Sequence, residues 1–373
     1  MPYGQVLVDT VKDSLNNVLA PASAVFRNRI INGAMVIDQR NAGASASNAA
    51  SAVTYTVDRF AYYASQASKF TFQQNAGSVT PPVGFSKYLG ITSSSAYTVG
   101  SGELFTLYQP IEGFNTADLG WGTANAKTVT LSFWVYSSLT GTFGGSLQNS
   151  ANDRSYPYSY SIPVANTWTQ ISVTIAGDTT GTWIGATNGV GLIVRFSLGA
   201  GSTYSGTAGS WAGANYVSAT GATSVVGTNG ATLYITGVQL EVGTNATGYE
   251  YRQYTTELQL CQRYYENNYN AGTAVGTSFG SQTALFQQTI CTTNGQLTGS
   301  IPFKVSKRTS PTITFYNRDG TINQWLQGKQ GQTESTYTPA AVTNNQYMFG
   351  WSNSGINTDS NVHYGMFTAS AEL

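Results

Sequence analysis

The chain has 373 residues, too many for one ordinary domain, and is 41% hydrophobic but only 9% charged, against roughly 25% charged in an average soluble domain. Its 17 basic and 17 acidic residues cancel, and no Lys/Arg cluster stands out, which argues against a nucleic-acid partner and suits an assembled state. No window approaches the roughly 18 apolar residues of a membrane span, so no membrane insertion is expected. The opening Met1-Pro2-Tyr3-Gly4-Gln5 lacks the pattern of a signal peptide, and Cys261 and Cys291 read as two buried thiols.

In chain order, residues 1–26 stand apart. Val6 and Val8 alternate with polar neighbours, turn residues follow, and Val18-Leu19-Ala20-Pro21 leads into Arg27. A segment too short to hold its own core either adds to the next domain or docks on a partner, and it reads as an attachment segment. From 27 to 252, strand-like runs follow one another with turn chemistry between them and no helical run. Early runs are 34–39, 55–63, 69–73, 88–91 and 103–112. The clearest is 128–137, where Val129, Leu131, Phe133 and Val135 fall on one face and Thr130, Ser132, Trp134 and Tyr136 on the other. Large rings are unusual on a solvent face, so this face is expected to meet something.

Tyr156, Tyr158, Tyr160 and Ile162 alternate next, then Ile171, Val173 and Ile175, then Val190, Leu192, Val194, Phe196 and Leu198 with Arg195 on the opposite face. The last run places Tyr234, Thr236, Val238, Leu240 and Val242 on one face. Nine or more short strands predict an all-β chain, with an antiparallel β-sandwich or jelly roll over 27–252. Residues 253–266 read as a short helix or linker, with Leu258, Cys261 and Tyr265 at i, i+3 and i+7 and Thr255 as N-cap. Residues 267–373 return to strands as a smaller C-terminal β tip. Within it, Asn317-Arg318-Asp319-Gly320 is a hairpin turn, because Asp-Gly supplies the positive φ that a tight turn needs.

Catalytic patterns are sparse. The one histidine, His363, has no carboxylate or cysteine beside it, and no nucleophile elbow, phosphate loop or dinucleotide fingerprint occurs. Glycoside cleavage needs only two carboxylates at a set separation. Asp38, Asp58, Glu103, Glu112, Asp118, Asp153, Asp178 and Glu241 are the candidates, most of them read as turn, cap or salt-bridge residues, such as Asp58 beside Arg59. The positive signal is aromatic: 24 Tyr, 7 Trp and 16 Phe. Tyr and Trp join a flat apolar face to a polar tip, which suits sugar rings. Trp134 and Tyr136, with Tyr156, Tyr158, Tyr160, Asn152, Asp153 and Arg154, either make a polar-aromatic groove or fill a core or subunit interface. The late group Tyr316, Trp325, Tyr347, Trp351, His363 and Tyr364 is either a glycan-reading tip or packing. No cofactor or metal is expected.

Several segments together resemble a family. Residues 27–40 (Arg27-Asn28-Arg29-Ile30-Ile31-Asn32-Gly33 onward) and Tyr55-Thr56-Val57-Asp58-Arg59-Phe60 resemble the opening of carbohydrate-binding-like jelly rolls of phage tail fibres. Leu131-Ser132-Phe133-Trp134-Val135, Ser155-Tyr156-Pro157-Tyr158, the stretch from Gly177 to Trp183 and the stretch from Tyr234 to Gly243 resemble the middle. Leu260-Cys261-Gln262-Arg263-Tyr264-Tyr265 resembles the exit. The resemblance implies a virion protein assembled in the host cytoplasm, commonly a homotrimer, that recognises a bacterial or cyanobacterial surface. On this reading the chain is a noncatalytic tail fibre or receptor-binding subunit. Residues 1–26 attach to a tail or baseplate protein, host cell-surface polysaccharide is the ligand, and Leu258, Cys261 and Tyr265 are buried in the trimer. The alternatives are a capsid decoration or cement protein and a polysaccharide depolymerase.

Overall fold

The alternating stretches pair into two six-stranded antiparallel sheets that face each other across one core. The structure, a computed structural model, describes residues 26–279, 300–328, 335–337, 340–351 and 362–373 with the short strands 11–12, 18–19 and 287–288; side chains of 11–12, 18–19, 287–288, 327–328, 335–337, 340–342, 349–351 and 362–364 are outside the description. The sandwich strands are β1 (Ala46–Ser47), β2 (Thr54–Tyr55), β3 (Ala61–Ala64), β4 (Phe70–Gln74), β5 (Leu89–Ser93) and β6 (Leu104–Glu112). They continue with β7 (Val129–Ser137), β8 (Gly141–Gln148), β9 (Ser155–Ile162), β10 (Thr169–Ile175), β11 (Val190–Ala200) and β12 (Thr232–Val242). The first sheet runs β9-β8-β11-β6-β3-β2 and the second β10-β7-β12-β5-β4-β1. This is the antiparallel β-sandwich that the period-two pattern predicts.

Alternation sets which residues face inward. Val129, Leu131, Phe133 and Val135 of β7 are buried in the core, and the Phe133 ring meets Tyr160 and Phe196 edge-on, each at 5.1 Å. Each such buried side chain stabilises by about 1.5–3 kcal/mol. β12 breaks the rule once. Thr236 pairs with Trp134 but Gln239 pairs with Ser132, so Gly237 and Val238 form a bulge. The single face expected for Tyr234, Thr236, Val238, Leu240 and Val242 is therefore split. Val238 and Leu240 stay in the core, whereas Tyr234 and Thr236 point outward and Val242 is exposed.

Past the sandwich comes α1 (Tyr254–Gln262). Gln253 is its N-cap residue and no side chain caps it, so the cap expected at Thr255 is not there. The helix docks Leu258 and Cys261 on Ile31, Ile37 and Tyr264. It leads into β13 (Tyr265–Asn267), which shares a sheet with β14 (Thr312–Tyr316) and β15 (Met366–Ser370) in the order β13-β15-β14. A second, smaller core collects Ile301, Phe303, Phe315, Trp325, Met348 and Phe367. The predicted turn is present: Asn317 Oδ1 accepts from the amides of Asp319 and Thr321, and Gly320 takes φ +82°.

Of the N-terminal attachment segment, the 11–12 and 18–19 strands pair with each other and the rest of 1–25 lies outside the described residues. Cys261 is a buried free thiol, and Cys291 lies outside the described residues. Among the described residues no helix is long and apolar enough to cross a membrane.

Candidate functional site

The outward face of the first sheet carries an open cleft of about 380 Å³. Its floor follows from the same alternation that builds the core. Because Phe105 and Leu107 of β6 and Val194 and Phe196 of β11 point inward, Tyr108, Ile193 and Arg195 point outward, joined by Tyr63 of β3. Tyr204 and Asn215, from the segment after β11, and Asn152, from the turn between β8 and β9, complete the polar and aromatic lining. No carboxylate side chain is among the lining residues.

Arg195 is the centre of this surface. It stands opposite Tyr108 in the β11–β6 register, with its guanidinium carbon 4.7 Å from the ring centroid. Its Nε donates to Gln148 Oε1, and Nη2 reaches Asn152 Oδ1 at 3.4 Å. Gln148 is fully buried and cannot turn, because its Nε2 donates to Tyr216 O at 2.8 Å and to Asn215 Oδ1 at 2.9 Å. Burial pulls the Arg195 pKa down to about 10, with Tyr108 opposing, so the group remains a cation at neutral pH. Burial also pushes the Tyr108 hydroxyl up, with Arg195 opposing. Rings beside fixed donors and acceptors can stack on the apolar face of a sugar and hydrogen-bond its edge.

The residues singled out in the sequence are scattered. Trp134 and Tyr136 lie on the outward face of the second sheet, away from Arg154. What that face meets is the chain's own loop. Tyr136 stacks on Tyr234 at 5.4 Å, Tyr234 stacks on Tyr88 at 5.2 Å, and Trp168 closes the group by donating Nε1 to Thr80 O at 2.8 Å. Trp134 is half-buried beside Phe85 and Gly237. Tyr158 and Tyr160 are in the core. Arg154 grips Asp178 with Nε and Nη2, both at 2.7 Å, below a group of mutually edge-on Trp121, Trp183 and Trp211. It is therefore a bracing residue and not part of the groove; of that predicted set only Asn152 lines it.

In the C-terminal group, Trp325 is a core residue. It is 2% exposed, packs edge-on against Phe315 at 4.8 Å and donates Nε1 to Met366 O, so it is not available to a glycan. Tyr316 is half-buried beside Tyr269, and Tyr347 is exposed. Trp351, His363 and Tyr364 lie in strands Tyr347–Trp351 and Val362–Tyr364, with their side chains outside the described residues. Leu258, Cys261 and Tyr265 are used within the chain. Cys261 is fully buried in the α1 cluster with Leu258 against it, and Tyr265 lies under the Arg40 guanidinium, 3.7 Å from its ring centroid.

All eight candidate carboxylates have structural partners. Asp38 caps the turn amides of Asn41 and Gly43, Glu103 accepts from Tyr97 and Gln66, and Asp153 accepts from Asn149. Glu112 pairs with Arg263 at 2.6 Å, Asp118 with Arg29 at 2.7 Å and Asp178 with Arg154. Glu241 accepts from Thr247 and Gln239. Asp58 pairs with Arg40 at 2.7 Å and not with its neighbour Arg59, which reaches across the chain to Glu372.

Tyr63, Tyr108, Tyr204 and Asn215 escape a sequence reading because they come together only through sheet register and a long loop. Arg195 did leave a signal: one cation on the polar face of an otherwise uncharged alternating strand.

No family model matches the sequence, and no curated protein matches it. Among solved structures the chain is similar to the enzymatically active domain of tailspike protein 4 of bacteriophage CBA120, at 13% identity and a TM-score of 0.30 over 58% of this chain. The match spans 22% of the tailspike chain. The chain is also similar to the N-terminal cellulose-binding domain of Cellulomonas fimi β-1,4-glucanase C, at 15% identity and a TM-score of 0.24 over 43% of this chain and 80% of that one. A third is the family 11 carbohydrate-binding module of Clostridium thermocellum, at 9% identity and a TM-score of 0.25 over 55% and 98% of the respective chains.

Proposed function

We propose that this protein is a noncatalytic glycan-binding subunit of a phage particle, a tail fibre or receptor-binding protein that attaches the particle to polysaccharide on the host surface. The observation that carries the binding role is the groove on the first sheet: Tyr63, Tyr108 and Tyr204 beside Arg195, Asn152 and Asn215, without a carboxylate side chain in the lining. Acid–base cleavage of a glycosidic bond needs two carboxyl groups flanking it, and this lining supplies rings, amides and a cation. The phage assignment is supported by the ordered segments from 27 to 266 that resemble tail-fibre jelly rolls. Individual grooves of this kind bind weakly, and a homotrimer would convert weak contacts into avidity.

The test is binding of the purified protein to intact host cells and isolated surface polysaccharide, with reducing ends assayed in the same tubes. Tyr63→Ala and Tyr204→Ala, both at half-buried positions on the groove, should each weaken binding about five- to thirtyfold, the loss of about 1–2 kcal/mol expected for a contacting ring. Unchanged binding in both variants would reject the groove. Release of reducing ends by the wild type would replace the noncatalytic reading with a depolymerase.

A further inference from the structure

We propose that the groove is selective for acidic glycans, with Arg195 receiving the carboxylate of a uronic acid. The proposal rests on the glycan-binding reading and names the class of ligand.

The other arginines of this chain have partners of two kinds. Arg27, Arg29, Arg40, Arg59, Arg154, Arg252, Arg263 and Arg318 each have a carboxylate within 4.0 Å. Arg308 instead donates to the backbone carbonyls of Asn188, Ala371 and Glu372. Arg195 has neither arrangement. Its partners are the neutral side-chain oxygens of Gln148 and Asn152 and the face of Tyr108, and it lines an open cleft. A cation held among rings and neutral amides, with no carboxylate within 4.0 Å among the described residues, is costly, and an anion arriving from outside relieves that cost.

Geometry narrows the anion. Gln148 is locked by Tyr216 and Asn215, which fixes the guanidinium plane before any ligand arrives. With Nε engaged by Gln148 and one proton of Nη2 reaching Asn152, Nη1 has no protein partner among the described residues, and the Nη1–Nη2 edge keeps one N–H on each nitrogen for a ligand. That edge matches a planar carboxylate, which takes two parallel N–H donors. Tyr63 and Tyr204 stand in the same cleft to carry the sugar ring that bears it.

The experiment measures Kd for a panel of bacterial surface polysaccharide fragments, each as its native uronate-bearing form and after carboxyl reduction. The wild type should bind native forms about ten- to hundredfold tighter, the range for a charge-assisted hydrogen-bonded pair. Arg195→Gln should bring that ratio to about one. Asn152→Asp keeps the arginine but places a carboxylate beside Nη2, and should also lower the ratio; its left-handed backbone (φ +56°) tolerates Asp, so the fold is preserved. Equal binding of native and reduced forms by the wild type would overturn the acidic selectivity and leave glycan binding standing. An undiminished ratio in the folded variants would remove Arg195 from the role. No binding to any member would overturn both readings.

Discussion

Single charged side chains in this molecule act mostly in pairs, and one buried set has a measurable consequence. Arg40 holds Asp58 at 2.7 Å and Glu372 at 2.8 Å, and lies over the Tyr265 ring. Burial pushes the Asp58 carboxyl up to about 7, Arg40 and the Gln39 amide oppose it, and Asp38 and Glu372 add to it. A carboxyl whose folded-state pKa is raised favours folding through its protonated form. Its contribution is fully present below its ordinary value of 3.8 and is lost as pH rises through about 7. Wild-type stability should therefore fall between pH 5 and pH 8 by an amount of the order of a few kcal/mol, and Asp58→Asn should flatten that slope. Denaturant titrations of both proteins at the two pH values check this; parallel slopes would show that Asp58 is ionised throughout.

At the scale of elements, the bulge in β12 decides what both faces of the second sheet become. Gly237 sits at φ +62°, and a Cβ there would lie 2.6 Å from Phe85 Cζ. Gly237→Ala should cost about 1–3 kcal/mol through strain and the clash, read as a lower denaturation midpoint. A midpoint equal to wild type would mean that the bulge does not depend on glycine. The strands themselves are legible in the sequence, because burial of one face imposes a period of two that β7, β9 and β10 keep throughout; β11 keeps it from Leu192 to Ser197 and slips register at both ends, so Val190 joins outward Ile193 and not the core face expected for it. The bulge is not legible, since the ring packed against Gly237, that of Phe85, is distant in the chain. The same limit applies to Trp134 and Tyr136. Their alternation places them outward, as they are, but it carries no word of the loop from Ala76 to Phe85 that covers them. Trp325 is a similar case, a large ring in a polar stretch whose partner carbonyl belongs to Met366.

Across the whole molecule, charged groups tie the sandwich to the C-terminal strands. Glu372 meets Arg40 and Arg59, and Arg308 reaches Asn188 and the carbonyls of Ala371 and Glu372. Two of these partners, Arg40 and Arg59, belong to the opening segments 27–40 and 55–60, so those segments serve the closure of the fold. That closure leaves the groove on the first sheet open, with Leu373 at its border. That groove is where we propose that the glycan lands. Backbone hydrogen exchange with and without bound surface polysaccharide tests it directly. Slowed exchange should concentrate in 61–64, 106–110, 152, 193–195, 204 and 215–217. Protection confined instead to the strands of 312–351, or to the Trp134 face of the second sheet, would contradict it.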